Sequence, residues 1–154
     1  MDKRFDPALF DLIPHRPPML LINKVLELSD KSSAALVTID KQASFYEPNK
    51  GVPTWIGLEY MGQTAALIAG YQRQKGMIGP HMGFLLGTRA YKAQSDYFDD
   101  GITLRVSCAE KILVGDDLVT FDCQIQQYDP ESSQHIPLAT ASLSVMRRPI
   151  KEKE

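Results

Sequence analysis

The stretch Thr54-Trp55-Ile56-Gly57-Leu58-Glu59-Tyr60-Met61-Gly62-Gln63-Thr64-Ala65-Ala66-Leu67-Ile68-Ala69-Gly70-Tyr71-Gln72 decides how this chain is built. Apolar or small residues recur at Leu58, Met61, Gly62, Ala65, Ala66, Ala69 and Gly70, which is the spacing of one face of a helix. Thr54 is a natural N-cap, and Gly76, Gly79 and Pro80 supply a stop. The stretch carries Glu59, Gln63 and Thr64 and is short of the ~20 apolar residues that a bilayer span needs. It reads as a buried helix whose small side chains let a neighbouring surface come close.

Working outward, four β-compatible runs follow, at 82 to 95, 102 to 113, 117 to 128 and 136 to 147. Asp99-Asp100-Gly101, Gly115-Asp116-Asp117 and Asp129-Pro130-Glu131-Ser132 separate them with turn chemistry. Gly83 and Gly87 fall inside the first run and mark a bulge or a close backbone approach. Upstream, Asp6-Pro7 begins a short helix that Pro14 ends. Met19 to Leu28 and Ser33 to Ile39 form a predicted hairpin across Ser29-Asp30-Lys31-Ser32, and residues 40 to 53 read as irregular. The order gives an α+β domain, an antiparallel meander of the last four runs packed on one central helix, which six strands could wrap. Unpaired strand edges in such a sheet favour a dimer.

The 154 residues suit a single domain over 1–154, with 1–8 and 148–154 expected to fray. Seventeen Lys and Arg against nineteen Asp and Glu leave a net charge of -2, so no summed positive field recommends nucleic acid as a partner. Cys108 and Cys123 lie in apolar alternating runs without metal-ligand spacing, which reads as two buried hydrophobes and no metal site. Asp6, Asp11 and Pro14 interrupt any secretory signal core, making the cytoplasm the expected compartment. No membrane span is expected.

Two environments fit Glu59. Near the edge of the buried face it is a carboxyl group poised for general acid work; on the outer face it is a solvated glutamate favoured by the helix dipole. His15, between Pro14 and Arg16-Pro17, reads as a fixed structural histidine, while His81 and His135 beside loop breakers read as exposed. Gly-x-Ser-x-Gly, His-Glu-x-x-His and phosphate-loop patterns are absent.

Three segments together resemble a known family. Leu12-Ile13-Pro14-His15-Arg16-Pro17-Pro18-Met19-Leu20-Leu21-Ile22-Asn23-Lys24-Val25 looks like the start of the β-hydroxyacyl-[acyl-carrier-protein] dehydratases. Gly57-Leu58-Glu59-Tyr60-Met61-Gly62-Gln63 looks like their central-helix motif, and Phe84-Leu85-Leu86-Gly87-Thr88-Arg89-Ala90 like the strand after it. The likeness runs loosely over residues 9 to 146 and is nearest to the divergent dehydratase-like proteins of aryl polyene pathways. It implies a hotdog fold, dimers, and a substrate carried on the phosphopantetheine of acyl carrier protein, with no cofactor bound to the chain. It also implies that Glu59 is catalytic and pairs with a histidine contributed across the dimer interface. Aligning Pro48 and Pro53 with the family's prolines places Tyr46 where that histidine belongs. His15 matches a histidine that the family does not use for proton abstraction.

Removing water from a 3-hydroxyacyl thioester needs an α-proton base, an acid for the hydroxyl and donors for the enolate oxygen. Glu59 supplies the acid, the amides of Thr54 and Trp55 are candidate donors, and the base is unassigned, since a tyrosine of ordinary pKa is a poor one. Three functions follow: a dehydratase with an atypical base, a non-catalytic or half-catalytic subunit paired with a paralogous dehydratase, or a thioesterase or acyl-thioester binder. Arg16, Lys24, Arg89 and Lys92 are candidate contacts for the acidic carrier protein.

Overall fold

The computed structural model describes residues 3–79, 81–115, 117–131 and 137–150. In chain order the elements are α1 (Ala8–Leu12), β1 (Lys24–Leu28), β2 (Ser32–Thr38), β3 (Gly51–Pro53), α2 (Gly57–Gln74), β4 (His81–Ala93), β5 (Tyr97–Asp99), β6 (Thr103–Val114), β7 (Leu118–Gln127) and β8 (Pro137–Pro149). Six strands form one antiparallel sheet in the order β1-β2-β6-β7-β8-β4, and β3 pairs with β5 separately. Of the expected meander only β6-β7-β8 holds, because β2 occupies the free side of β6 and β4 pairs with β8 instead.

Alternation along the strands explains which face the helix covers. Leu104, Val106 and Cys108 of β6, Val119, Phe121, Cys123 and Ile125 of β7, and Ala139, Ala141 and Leu143 of β8 all point into one core. Tyr60, Met61, Ala65, Leu67 and Ile68 of α2 complete it. A period of two on the sheet and one near 3.6 on the helix are what such a two-layer contact requires. Buried polar groups on α2 are satisfied locally: Thr64 Oγ1 donates to Tyr60 O at 2.8 Å, and Ser33 Oγ donates to Thr64 O at 2.6 Å. Cys108 and Cys123 are opposite one another in the β6–β7 register and buried, as expected, with burial pushing the Cys108 thiol upward.

The boundaries expected from sequence shift in five places. Thr54 does not cap α2: its Oγ1 donates to Ser95 O at 2.8 Å and its amide to Asp96 O at 2.9 Å, and the chain enters α2 through a 3₁₀ turn at Thr54–Ile56. The 95–96 bend has taken the groups a cap would use. Met19 to Asn23 is not strand, because Leu20, Leu21 and Ile22 are all buried together and no alternation is left to build a half-covered strand. Residues 3–8, expected to fray, are docked. Phe5 is buried, Asp6 N donates to Asn23 O, and the Asp6 carboxylate accepts from Ala8 N and Val25 N. β8 runs to Pro149, past the point where fraying was expected. The three-residue strands β3 and β5 are additional. Residues 1, 2, 136 and 151–154, Pro80, Asp116, Ser132, His135 and the side chains of His81, Met82 and Phe84, all within the stretches read above, lie outside the described residues.

Gly70 sets the position of α1. A Cβ there would collide with the Leu12 carbonyl, so the end of α1 rests directly on the α2 backbone. The expected bulge also appears, with the β4–β8 register slipping between Leu85 and Gly87.

Candidate active site

With α1 seated on Gly70, the chain turns at Ile13 and lays residues 15–21 along the first half of α2. Arg16 locks the turn. Its guanidinium donates to Phe10 O, Ile13 O and His15 O at 2.8 to 2.9 Å and lies over the Phe10 ring, 5.1 Å from its centroid. Gln63, fully buried, pins the same segment. Its Oε1 accepts from Leu21 N at 2.9 Å, and its Nε2 donates to Met19 O at 2.8 Å and to Glu59 Oε1 at 3.2 Å. Gln63 stands one turn beyond Glu59, the spacing at which helix side chains meet. That spacing was visible in the sequence, but its role was not recognised there.

Glu59 is neither sunk in the core nor free in solvent. Its side chain is 44% exposed, and His15 Nε2 stands 3.9 Å from Oε1. Burial, opposed by the Glu59 charge and reinforced by Arg16, lowers the His15 pKa from its usual 6.5, so the ring is neutral near pH 7. Its Nδ1 edge is buried with no hydrogen-bond partner among the described residues. The polar edge the ring offers is therefore Nε2, facing Glu59. Beyond Glu59 the helix presents Gly62, Ala66 and Ala69, all half-exposed, and a Cβ on Gly62 would meet nothing within 4 Å. These three small residues form an open apolar strip on α2 that leads away from Glu59. A cavity of about 290 Å³ lies on another side, lined by Phe5, Leu20, Leu21 and Tyr60 among others, with Glu59 not part of its lining.

The remaining expected site residues are dispersed. The Tyr46 hydroxyl donates to Asp100 Oδ2 at 2.8 Å, and that carboxylate raises its pKa above the usual 10.0. This makes it a worse base than an ordinary tyrosine. Phe45 and Asn49 hold positive φ on either side of it, and Phe45 meets the exposed Trp55 ring edge-on at 6.3 Å. Of the two amides expected to donate to an enolate oxygen, Thr54's is spent on Asp96 O, which leaves Trp55's. Lys24 starts β1 at one edge of the sheet, and Arg89 and Lys92 lie on β4 at the other. With Arg16 committed to carbonyls, the four cations do not form one patch.

A curved antiparallel sheet closed over one long helix is the hotdog architecture. The family model for ApeP-like proteins, ApeP dehydratase, matches residues 7–154. The chain belongs to the ApeP-like dehydratase family, and its function is dehydratase-like. None of the curated proteins matches it. Solved structures share the fold. A chain of the dehydratase heterocomplex ApeI:P from Xenorhabdus doucetiae is 24% identical, with TM-score 0.76, over 91% of this chain and 90% of that one. The smu.793 protein from Streptococcus mutans UA159, bound to acetyl CoA, is 10% identical with TM-score 0.64, over 92% and 98%. A hypothetical thioesterase with coenzyme A from Streptococcus pneumoniae TIGR4 is 8% identical with TM-score 0.61, over 84% and 88%. No helix among the described residues is long and apolar enough to cross a membrane.

Proposed function

We propose that this chain is the acid-bearing subunit of a 3-hydroxyacyl-[acyl-carrier-protein] dehydratase in aryl polyene assembly, and that a histidine-bearing paralogous subunit supplies the base. The observation that carries the reading is the contrast between Glu59 and Tyr46. Glu59 is held half-exposed by Gln63 beside an open strip, and Tyr46, at the family's base position, has its hydroxyl tied to Asp100. An acid is kept and a base is not. The long edge strand β4, with Leu85 and Leu86 both about half exposed, supports assembly with a second subunit.

In this reading Glu59 protonates the leaving hydroxyl, the partner's histidine takes the α-proton, and the Trp55 amide donates to the enolate oxygen. The acyl chain lies against Gly62, Ala66 and Ala69, its thioester carried on the phosphopantetheine of acyl carrier protein, which approaches Arg89 and Lys92 in the cytoplasm. The test is to incubate the pure chain with 3-hydroxyacyl-carrier protein, alone and with the paralogue, and to weigh the product. Loss of water only in the mixture is expected. Loss of water by the chain alone would replace this reading with a self-sufficient dehydratase, and release of free acid would replace it with a thioesterase.

A further inference from the structure

The segment 15–21 places a second polar group beside Glu59, His15, which the family resemblance matches to a histidine not used for proton abstraction. His15 Nε2 and Glu59 Oε1 are 3.9 Å apart, too far for a hydrogen bond and wide enough for one oxygen atom to accept from one group and meet the other. Both side chains reach solvent, at 29% and 44% exposure, so the gap is open to a ligand. The ring cannot turn its other nitrogen to this task, because Nδ1 is enclosed. An N–H at Nε2 faces a Glu59 oxygen favourably both while the carboxyl holds its proton and after it has given it up, whereas a lone pair there would face like charge in the second state. Arg16 holds the backbone that carries the ring through the His15 carbonyl, the ring's Nδ1 edge is buried, and Gln63 holds the Glu59 carboxyl group, so the fold sets the gap.

From this geometry we infer that His15 is a further catalytic residue: its Nε2–H holds the substrate's 3-hydroxyl oxygen in the gap while Glu59 protonates it. The inference rests on the proposed dehydration. In that step the α-carbon–hydrogen bond breaks, the proton passes to the partner subunit's base, and the electron pair becomes the second bond of the alkene. The carbon–oxygen pair leaves with the oxygen, which takes the proton of Glu59 and departs as water. His15 keeps its own proton throughout. It steadies the negative charge that grows on the departing oxygen, as preorganised donors do elsewhere.

The test uses the assembled two-subunit enzyme with 3-hydroxyoctanoyl-carrier protein. His15→Leu removes the donor and should lower kcat on the order of 10²-fold with KM changed little. His15→Gln returns an N–H at a similar reach and should recover to within about tenfold of the parent. A folded His15→Leu enzyme with the parent's kcat overturns the inference. Should the leucine variant not fold, nitrogen NMR of the His15 ring decides. Adding 3-hydroxyoctanoyl-pantetheine to the Glu59→Gln complex should shift the Nε2 signal, and an unmoved signal overturns the contact. Turnover retained by Glu59→Gln overturns the functional reading beneath it. An inactive Glu59→Gln beside a full-speed His15→Leu overturns this inference alone.

Discussion

Gly70 and Gly62 sit on the same helix, two turns apart, and the structure treats them in opposite ways. At Gly70 the Leu12 carbonyl lies where a side chain would begin; at Gly62 the space is empty. One glycine is small because its own chain already fills the site. The other lies on the strip that leads away from Glu59, where the chain has put nothing. A stripe of small residues in a sequence therefore mixes two signals, close packing within the fold and room kept for something outside it. Only the surroundings separate them.

The sharpest way to test that division is at its catalytic end. Glu59→Gln on the open face should cost about 10²–10⁴-fold in turnover of the assembled enzyme. The melting temperature should stay where it was, since the carboxylate's one hydrogen bond is partly exposed. A large fall in stability would move Glu59 to the structural side. Next in size, Gly70→Ala should destabilise the chain by about 3 kcal/mol in denaturant unfolding, because α1 must shift off the helix backbone. Gly62→Ala should do the reverse and stabilise it by about 0.5–1 kcal/mol, the helix propensity gained without a clash. If the two alanines behave alike, the comparison fails. A bulkier Gly62→Leu should leave folding intact and raise KM for the long-chain acyl substrate of the assembled enzyme, read by steady-state kinetics.

The smallest effect concerns His15. Burial holds its folded pKa below 6.5, so as pH falls through about 6.5 the unfolded chain takes up a proton that the folded one resists. Stability contributed by the neutral ring is complete above that value and declines below it. Comparing the parent with His15→Gln between neutral pH and about pH 5 should show the parent losing more, because glutamine has no proton to gain. Equal slopes would mean that the ring is not held neutral.

Much of the fold could be read without coordinates. The run 54–72 has a helix period, and β6 alternates over Thr103–Cys108 and β7 over Leu118–Ile125, because there each meets the core on one face only. Residues 19–23 misled for the converse reason: Leu20, Leu21 and Ile22 are all enclosed, so their apolar run looked like strand while their backbone was pinned by Gln63. Residues 3–8 looked like a loose end because nothing local marks Asp6 as an anchor for β1. The position of Glu59 was legible through motif likeness, but its neighbours were not. His15 reaches it only because α1 lands on Gly70, a contact between distant parts of the chain that no local spacing encodes. The scattering of Lys24 from Arg89 and Lys92 is likewise a matter of strand order, which charge composition does not carry.

Strand β4 has a further consequence for how the molecule comes into being. Thirteen residues long, it hydrogen-bonds to β8 along one side and to no other strand of the sheet among the described residues. A newly made chain thus offers a row of unanswered amides and carbonyls to any extended peptide nearby. If the proposed partner subunit covers this edge, synthesis of the two polypeptides in step would give more soluble product than this chain made in excess.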